Sequence, residues 1–238
     1  MIRHARSASR TGLGLALVAL FVTMAVPATA QAQQEETFDR TIAVQPGGRL
    51  RLRTFSGRVH IRGIDGNEVV IHAVRRGSTE RLRDVQLEVT QSGDTVEINA
   101  NHRVGERRND NVVETDFDIQ VPARTRLDVN SFSAPIEVEN VQGSHKLKTF
   151  SADIELWASA WTDADGIDAE TFSGDVRMRL PDNARGSLDF DSFSGRFNSD
   201  LPVTMQSSGK RNFRGDLNGG GSADFRVKTF SGSAEIKR

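Results

Sequence analysis

The 238-residue sequence contains no cysteine and no tyrosine, and only two tryptophans. Without cysteine there is neither a disulfide framework nor a thiol to carry a lipid anchor. Beyond the first thirty residues, no stretch approaches the ~18 uninterrupted apolar residues of a transmembrane helix. Neither sign of charge is in excess. The formal balance is −1, from 31 Lys+Arg against 32 Asp+Glu, which argues against nucleic acid as a partner and against a polybasic membrane-surface protein. There is no G-x-S-x-G elbow, no phosphate loop and no closely spaced pair of histidines.

The first residues read as a leader. Arg3, Arg6 and Arg10 precede the apolar run "TGLGLALVALFVTMAVP", and "ATAQAQ" then offers small residues, so cleavage is expected after Ala30 or Ala32. An uncleaved anchor is the rival reading. Both place the rest of the chain outside the cytoplasm, in the periplasm or at the cell surface. Removing residues 1–32 with their three arginines leaves a charge of about −4.

What the sequence does have is a period. The phrase T/S-F-S-G/A recurs around Phe55, Phe132, Phe150, Phe172, Phe193 and Phe230, and a weaker F-x-G stands at Phe213. From Phe132 the steps are 18, 22, 21 and 37 residues, and Phe213 divides the last into 20 and 17. Units of about 20 residues fit the coils of a β-solenoid, in which each coil buries its apolar face only against its neighbours. Leucine-rich repeats have a similar length, but their leucine-and-asparagine spacing is absent.

Within each unit the inward residues alternate, as strands require. Counted from Phe, they fall at −5, −3 and −1 before the phrase and at +4 and +6 after it. Leu127, Val129, Ser131, Ile136 and Val138 show the pattern. Such a change of phase cannot occur in a straight strand, so the phrase is a corner. Gly57, Gly174, Gly195, Gly215 and Gly232 supply its small position, and Thr or Ser at −1 is placed to hydrogen-bond its backbone. The phenylalanines are expected to stack ring on ring at the ~4.8 Å strand spacing in an internal ladder, since an exposed strip of apolar rings invites aggregation. An outward strip for sugar rings is the alternative, and phenylalanine without tyrosine or tryptophan serves it poorly.

Between Phe55 and Phe132 the period is lost for 77 residues. Short alternating segments take its place. "DVQLEVTQSGDTVEINA" reads as a hairpin closed by Ser-Gly-Asp, "ETDFDIQVPART" as a strand ended by Pro122, and "RVGERRNDN" as a polar loop. The expected fold is all-β: one single-domain β-solenoid, with residues 36–126 a β-rich N-terminal part holding the first coil and 127–238 the repetitive coils continuous with it.

Candidate chemistry is thin. His60, His72, His102 and His145 are expected to be solvated surface histidines, and no cofactor or metal is expected. "TDADGIDAE", with Asp163, Asp165 and Asp168, resembles half a calcium loop but lacks the completing glutamate and reads as a solvated turn. Successive coils would bring Asp153 beside Asp175 and Glu170 beside Asp191, the carboxylate pairing that a glycoside hydrolase requires. Positions −2 and +3 carry mixed signs, however, which fits rung-to-rung charge pairing on a wet face.

The T/S-F-S-G-x-V phrase at this spacing, preceded by Val121, Pro122, Leu127 and Val129, resembles a bacterial domain-of-unknown-function family labelled "putative adhesin", whose usual form is L-x-V-x-T-x-S-G-D-I-x-L. The near-constant phenylalanine and the degenerate unit at Phe213 depart from that form. The resemblance implies an exported β-solenoid and no catalytic residues. The function expected is a non-enzymatic, adhesin-like interaction or structural module of the cell envelope. It would bind a polysaccharide or protein, or associate with itself through the end coil left open after Arg238. A polysaccharide-active enzyme and an accessory to envelope-stress signalling are the alternatives.

Overall fold

The computed structural model describes residues 33–103, 112–162, 164–209 and 211–238. The expected leader, the expected polar loop within residues 104–111, Asp163 and Lys210 lie outside them. The described chain is built from two large sheets joined by six coils. Each coil is a strand of one sheet, a corner at Phe, and a strand of the other. They are β2 (Arg49–Arg53) with β3 (Ser56–Ile64), β8 (Arg126–Asn130) with β9 (Ile136–Glu139), and β10 (Ser144–Thr149) with β11 (Ile154–Trp157). The others are β12 (Gly166–Thr171) with β13 (Val176–Arg179), β14 (Gly186–Ser192) with β15 (Phe197–Ser199), and β18 (Asp224–Thr229) with β19 (Ala234–Lys237).

The coils do not stack in chain order. β18 pairs in parallel with β12 on one side and β14 on the other, and β19 lies between β13 and β15. The Phe230 coil is therefore internal, seated between those of Phe172 and Phe193, and it is not the open end that the sequence suggested. Corner hydrogen bonds give the same order: the backbone N–H groups of Ser133, Ser151, Ser173, Ser231 and Ser194 donate in turn to the carbonyls of Phe55, Phe132, Phe150, Phe172 and Phe230. Phe213 does not start a coil. It lies in β17 (Asn212–Leu217), which pairs antiparallel with β14 and with β16 (Val203–Ser208), so this hairpin forms the sheet edge beyond the Phe193 coil.

The N-terminal part extends both sheets at the opposite end. β1 (Gln34–Ala43), β4 (Glu68–Gly77) and β7 (Glu114–Pro122) run outward from β3, with antiparallel pairing of β4 to both β1 and β7. The Ser-Gly-Asp hairpin forms as β5 (Val85–Ser92) and β6 (Thr95–Arg103), turning at Gly93 with φ 56°, and β6 continues the second sheet from β2. A short helix not expected from the sequence, α1 (Thr79–Asp84), is capped by Ser78, whose side chain accepts the Arg81 N–H. Among the described residues no helix is long and apolar enough to cross a membrane.

The core is the space between the sheets. It is filled by inward columns such as Leu50, Leu127, Ile167 and Leu188 from one sheet and Val59, Ile136, Ile154 and Val176 from the other, all buried. Each such side chain removed from water contributes roughly 1.5–3 kcal/mol. The corner chemistry follows the spacing. Ser131 Oγ accepts the Ala134 N–H at 2.8 Å, Ser192 Oγ that of Gly195 at 2.7 Å, and Thr229 Oγ1 that of Gly232 at 2.9 Å. Ala134 and Ala152 hold the small position in two coils, but at Gly195 and Gly232 crowding requires glycine. A Cβ on Gly232 would sit 1.7 Å from the Gly174 carbonyl oxygen, and one on Gly195 1.7 Å from that of Gly232. Only at Gly57 does the corner also need positive φ, at 105°.

Candidate functional site

Side chains at −5, −3 and −1 point inward, so the residue that follows must point out. Phe55, Phe132, Phe150, Phe172, Phe230 and Phe193 accordingly form a stack on the surface, 37–49 % exposed, and not the internal ladder expected from their apolar character. Ring centroids are 4.6, 5.0, 4.9, 4.6 and 4.7 Å apart in that order, and planes tilt by no more than 11°. The spacing is that of the strands beneath. Five such steps make a ribbon about 24 Å long. With each ring about half exposed, it leaves on the order of 500 Å² of contiguous apolar surface. That is at the upper end for a monomeric protein, and such patches mark interaction sites.

The ribbon forms one wall of a groove of about 760 Å³. The facing wall is the −2 column, which runs Asn130, Lys148, Glu170, Lys228, Asp191 across the sheet. Lys148 and Glu170 form an ion pair, and the ammonium hydrogen bond holds the Glu170 carboxyl below its ordinary value. Buried Thr149, Thr171, Thr229 and Ser192 line the floor. The Arg211 guanidinium closes one end, 4.1 Å from the centroid of Phe193. Because the faces between stacked rings are covered by their neighbours and the end face of Phe193 by Arg211, the groove presents ring edges along its length.

The family model for Toastrack DUF4097 matches residues 48–237. The chain belongs to that family. Its fold is similar to a "putative cell adhesion protein" from Clostridium sporogenes, with a TM-score of 0.58 and 13 % identity over 85 % of this chain and 99 % of that one. A "putative adhesin" from Bacteroides fragilis also matches, with a TM-score of 0.24 and 10 % identity over 84 % of this chain and 97 % of that one. No curated protein matches the sequence.

In this Toastrack chain the carboxylate pairs do not stand free. Asp153 and Asp175 are neighbours, but Arg177 binds both at 2.9 Å and Glu155 at 3.0 Å. Those carboxylates in turn raise the guanidinium's pKa, the Asp153 hydrogen bond most of all. Glu170 and Asp191 are not neighbours, because the inserted β18 places Lys228 between them. Asp165 is buried rather than solvated. Its carboxylate accepts the N–H groups of Gly143 and Thr162 at 2.7 Å each, tying the turn to the preceding coil. Asp168 stays half-buried on β12.

The histidines divide. His72 and His102 are exposed beside Asp39 and Glu88, at 2.7 and 3.0 Å. His145 is not on the surface. It occupies the inward −5 column between Leu127 and Ile167, is 3 % exposed, and hydrogen-bonds Val141 O through Nε2 at 2.9 Å. Burial lowers its pKa. His60 is half-buried on β3, in register with Asp118 of β7 and Glu137 of β9. Counting columns would have located His145 and would also have set His60 beside Glu137, both at +5; Asp118 comes from β7, outside the repeat.

Proposed function

We propose that this chain is a non-enzymatic, adhesin-like interaction module exported to the cell envelope, and that its phenylalanine groove is the surface that engages the partner. The observation that carries the reading is the exposed six-ring ribbon. Stacking accounts for the buried half of each ring, but the exposed edges form a continuous apolar surface that the core between the sheets does not use. The leader-like N-terminus and the name given to the similar Clostridium sporogenes structure support the exported, adhesive setting. The groove favours a protein partner that lays an extended apolar segment along the ring edges, with charged flanks meeting the alternating −2 column. Sugar rings need open aromatic faces, and the stack covers them. A non-catalytic role is supported by the ion pairs that hold Asp153 and Asp175 on Arg177 and Glu170 on Lys148.

The test is chromatography of the purified protein with envelope polysaccharide and, separately, with envelope proteins, alongside a Phe150→Leu/Phe172→Leu variant that keeps much of the burial and is shown to be folded by circular dichroism. Retention of an envelope protein by the wild type and its loss in the variant is the expected result. Released saccharide fragments, or retention that ignores the double substitution, would overturn the reading.

A further inference from the structure

On the other sheet, five to seven residues after the phenylalanines of the Phe55 and Phe132 coils, strand register assembles a different kind of site. His60 of β3 stands in one cross-strand row with Asp118 on one side and Glu137 on the other, and Glu139 lies two residues along the same strand as Glu137. One ligand atom from each of His60, Glu137 and Glu139 falls within 4.8 Å of the other two. We propose that these three side chains form a binding site for a divalent first-row transition ion, of which Zn²⁺ is the probe.

Four observations argue for it. The His60 Nε2 atom is buried and lacks a hydrogen-bond partner, yet it faces Glu139 Oε2 at 3.5 Å. Two ligands of a tetrahedral ion with bonds of ~2.0 Å are ~3.3 Å apart, so that separation already suits a shared ion. The His60 and Glu139 side chains are only 17 % and 20 % exposed, which shields the ion from bulk water. Behind the ring, Asp118 Oδ1 lies 3.9 Å from Nδ1, the side from which a carboxylate orients a metal-bound imidazole. Glu137, finally, has no ion-pair partner among the described residues, and a cation there would supply one. One imidazole and two carboxylates leave coordination positions for water, and the nitrogen ligand selects transition ions over calcium and magnesium.

Arg62 is the opposing group. Its Nε donates to Glu139 Oε2 at 3.2 Å, so the ion must share or displace a guanidinium. That gives the proposal a signature which surface adsorption lacks: removing a positive charge should tighten binding, while removing a ligand should abolish it.

The experiment is calorimetric titration of Zn²⁺ into the chelator-stripped, purified protein. Expected are one saturable site per chain, at least tenfold weaker binding in His60→Gln and Glu139→Gln, severalfold tighter binding in Arg62→Gln, and no change in His102→Gln. Circular dichroism checks that each variant is folded. Zinc-edge X-ray absorption of the wild type, which needs no variant, should show one imidazole among oxygen ligands. The proposal is overturned if no saturable site is found, if His60→Gln binds like the wild type, or if the absorption spectrum shows no imidazole. Calcium binding as tightly as zinc would also overturn it.

Discussion

Replacing Phe172 by alanine separates what the aromatic ribbon does for the fold from what it does for a partner. The ring is 45 % exposed and stacks on Phe150 at 4.9 Å and on Phe230 at 4.6 Å. About half of a ~200 Å² side chain is then buried, worth roughly 2–3 kcal/mol. Each ring contact adds about 0.5–1.5 kcal/mol beyond area. Phe55, at the end of the stack, is 37 % exposed and has one ring neighbour, Phe132. Its loss forfeits similar burial but only one contact. Urea unfolding should therefore show Phe172→Ala costing about 3–5 kcal/mol and Phe55→Ala about 1 kcal/mol less, with unchanged m-values. Equal losses would mean that ring-on-ring contact contributes nothing and that the stack merely follows the strand spacing. The reasoning would be refuted outright if Phe172→Ala were neutral. A partner's affinity should track the exposed edges instead, so Phe172→Leu, which keeps much of the burial, should weaken binding more than it weakens the fold.

Three further predictions concern the frame. Gly232→Ala should cost about 3 kcal/mol or more in urea unfolding, because its Cβ meets a neighbouring backbone oxygen at 1.7 Å, whereas Gly166→Ala, whose nearest contact is 3.4 Å, should be near neutral; similar costs would refute the crowding argument. His145, held below its ordinary pKa by burial, stays neutral in the fold while the unfolded chain takes up a proton below about pH 6.5, so stability falls as pH drops from there toward the folded pKa, by at most about 1.4 kcal/mol per pH unit. His145→Leu should flatten that slope in unfolding curves from pH 5 to 8, and an unchanged slope would assign the dependence elsewhere. Arg177→Gln leaves Asp153, Asp175 and Glu155 without their shared cation, and with a 42 % exposed guanidinium the loss should be about 1 kcal/mol at low salt and should shrink in 1 M salt.

Much of this architecture was legible in the chain. The 20-residue period, the change of phase at Phe and the small residue two positions on all follow from local backbone sterics, which sequence reports directly. The outward direction of the phenylalanines was legible too. With −1 inward, position 0 must face out, and the preference for burying an apolar ring wrongly overrode that geometry. The order of the coils was not legible, because the phrases around Phe193 and Phe230 are interchangeable as words. The −2 column held a hint: chain order would set Glu170 beside Asp191, and the observed order sets Lys228 between them. The His60 cluster was legible only in part: His60 and Glu137 both stand five residues after their phenylalanines, so aligned units set them side by side, whereas Asp118 comes from β7, outside the period.

The place of β18 and β19 has a consequence for how the molecule is completed. When residues 186–199 are laid down they leave a vacant slot, one strand wide, beside β12 and β13, and only residues 224–237 fill it. A chain interrupted before that point would not simply be a shorter rod. It would hold two facing edges open in its middle, with unpaired N–H and C=O groups ready to accept any passing strand. The final repeat thus works as a keystone, and a defect at Phe230 or Gly232 should divide the protein into two halves instead of fraying its end.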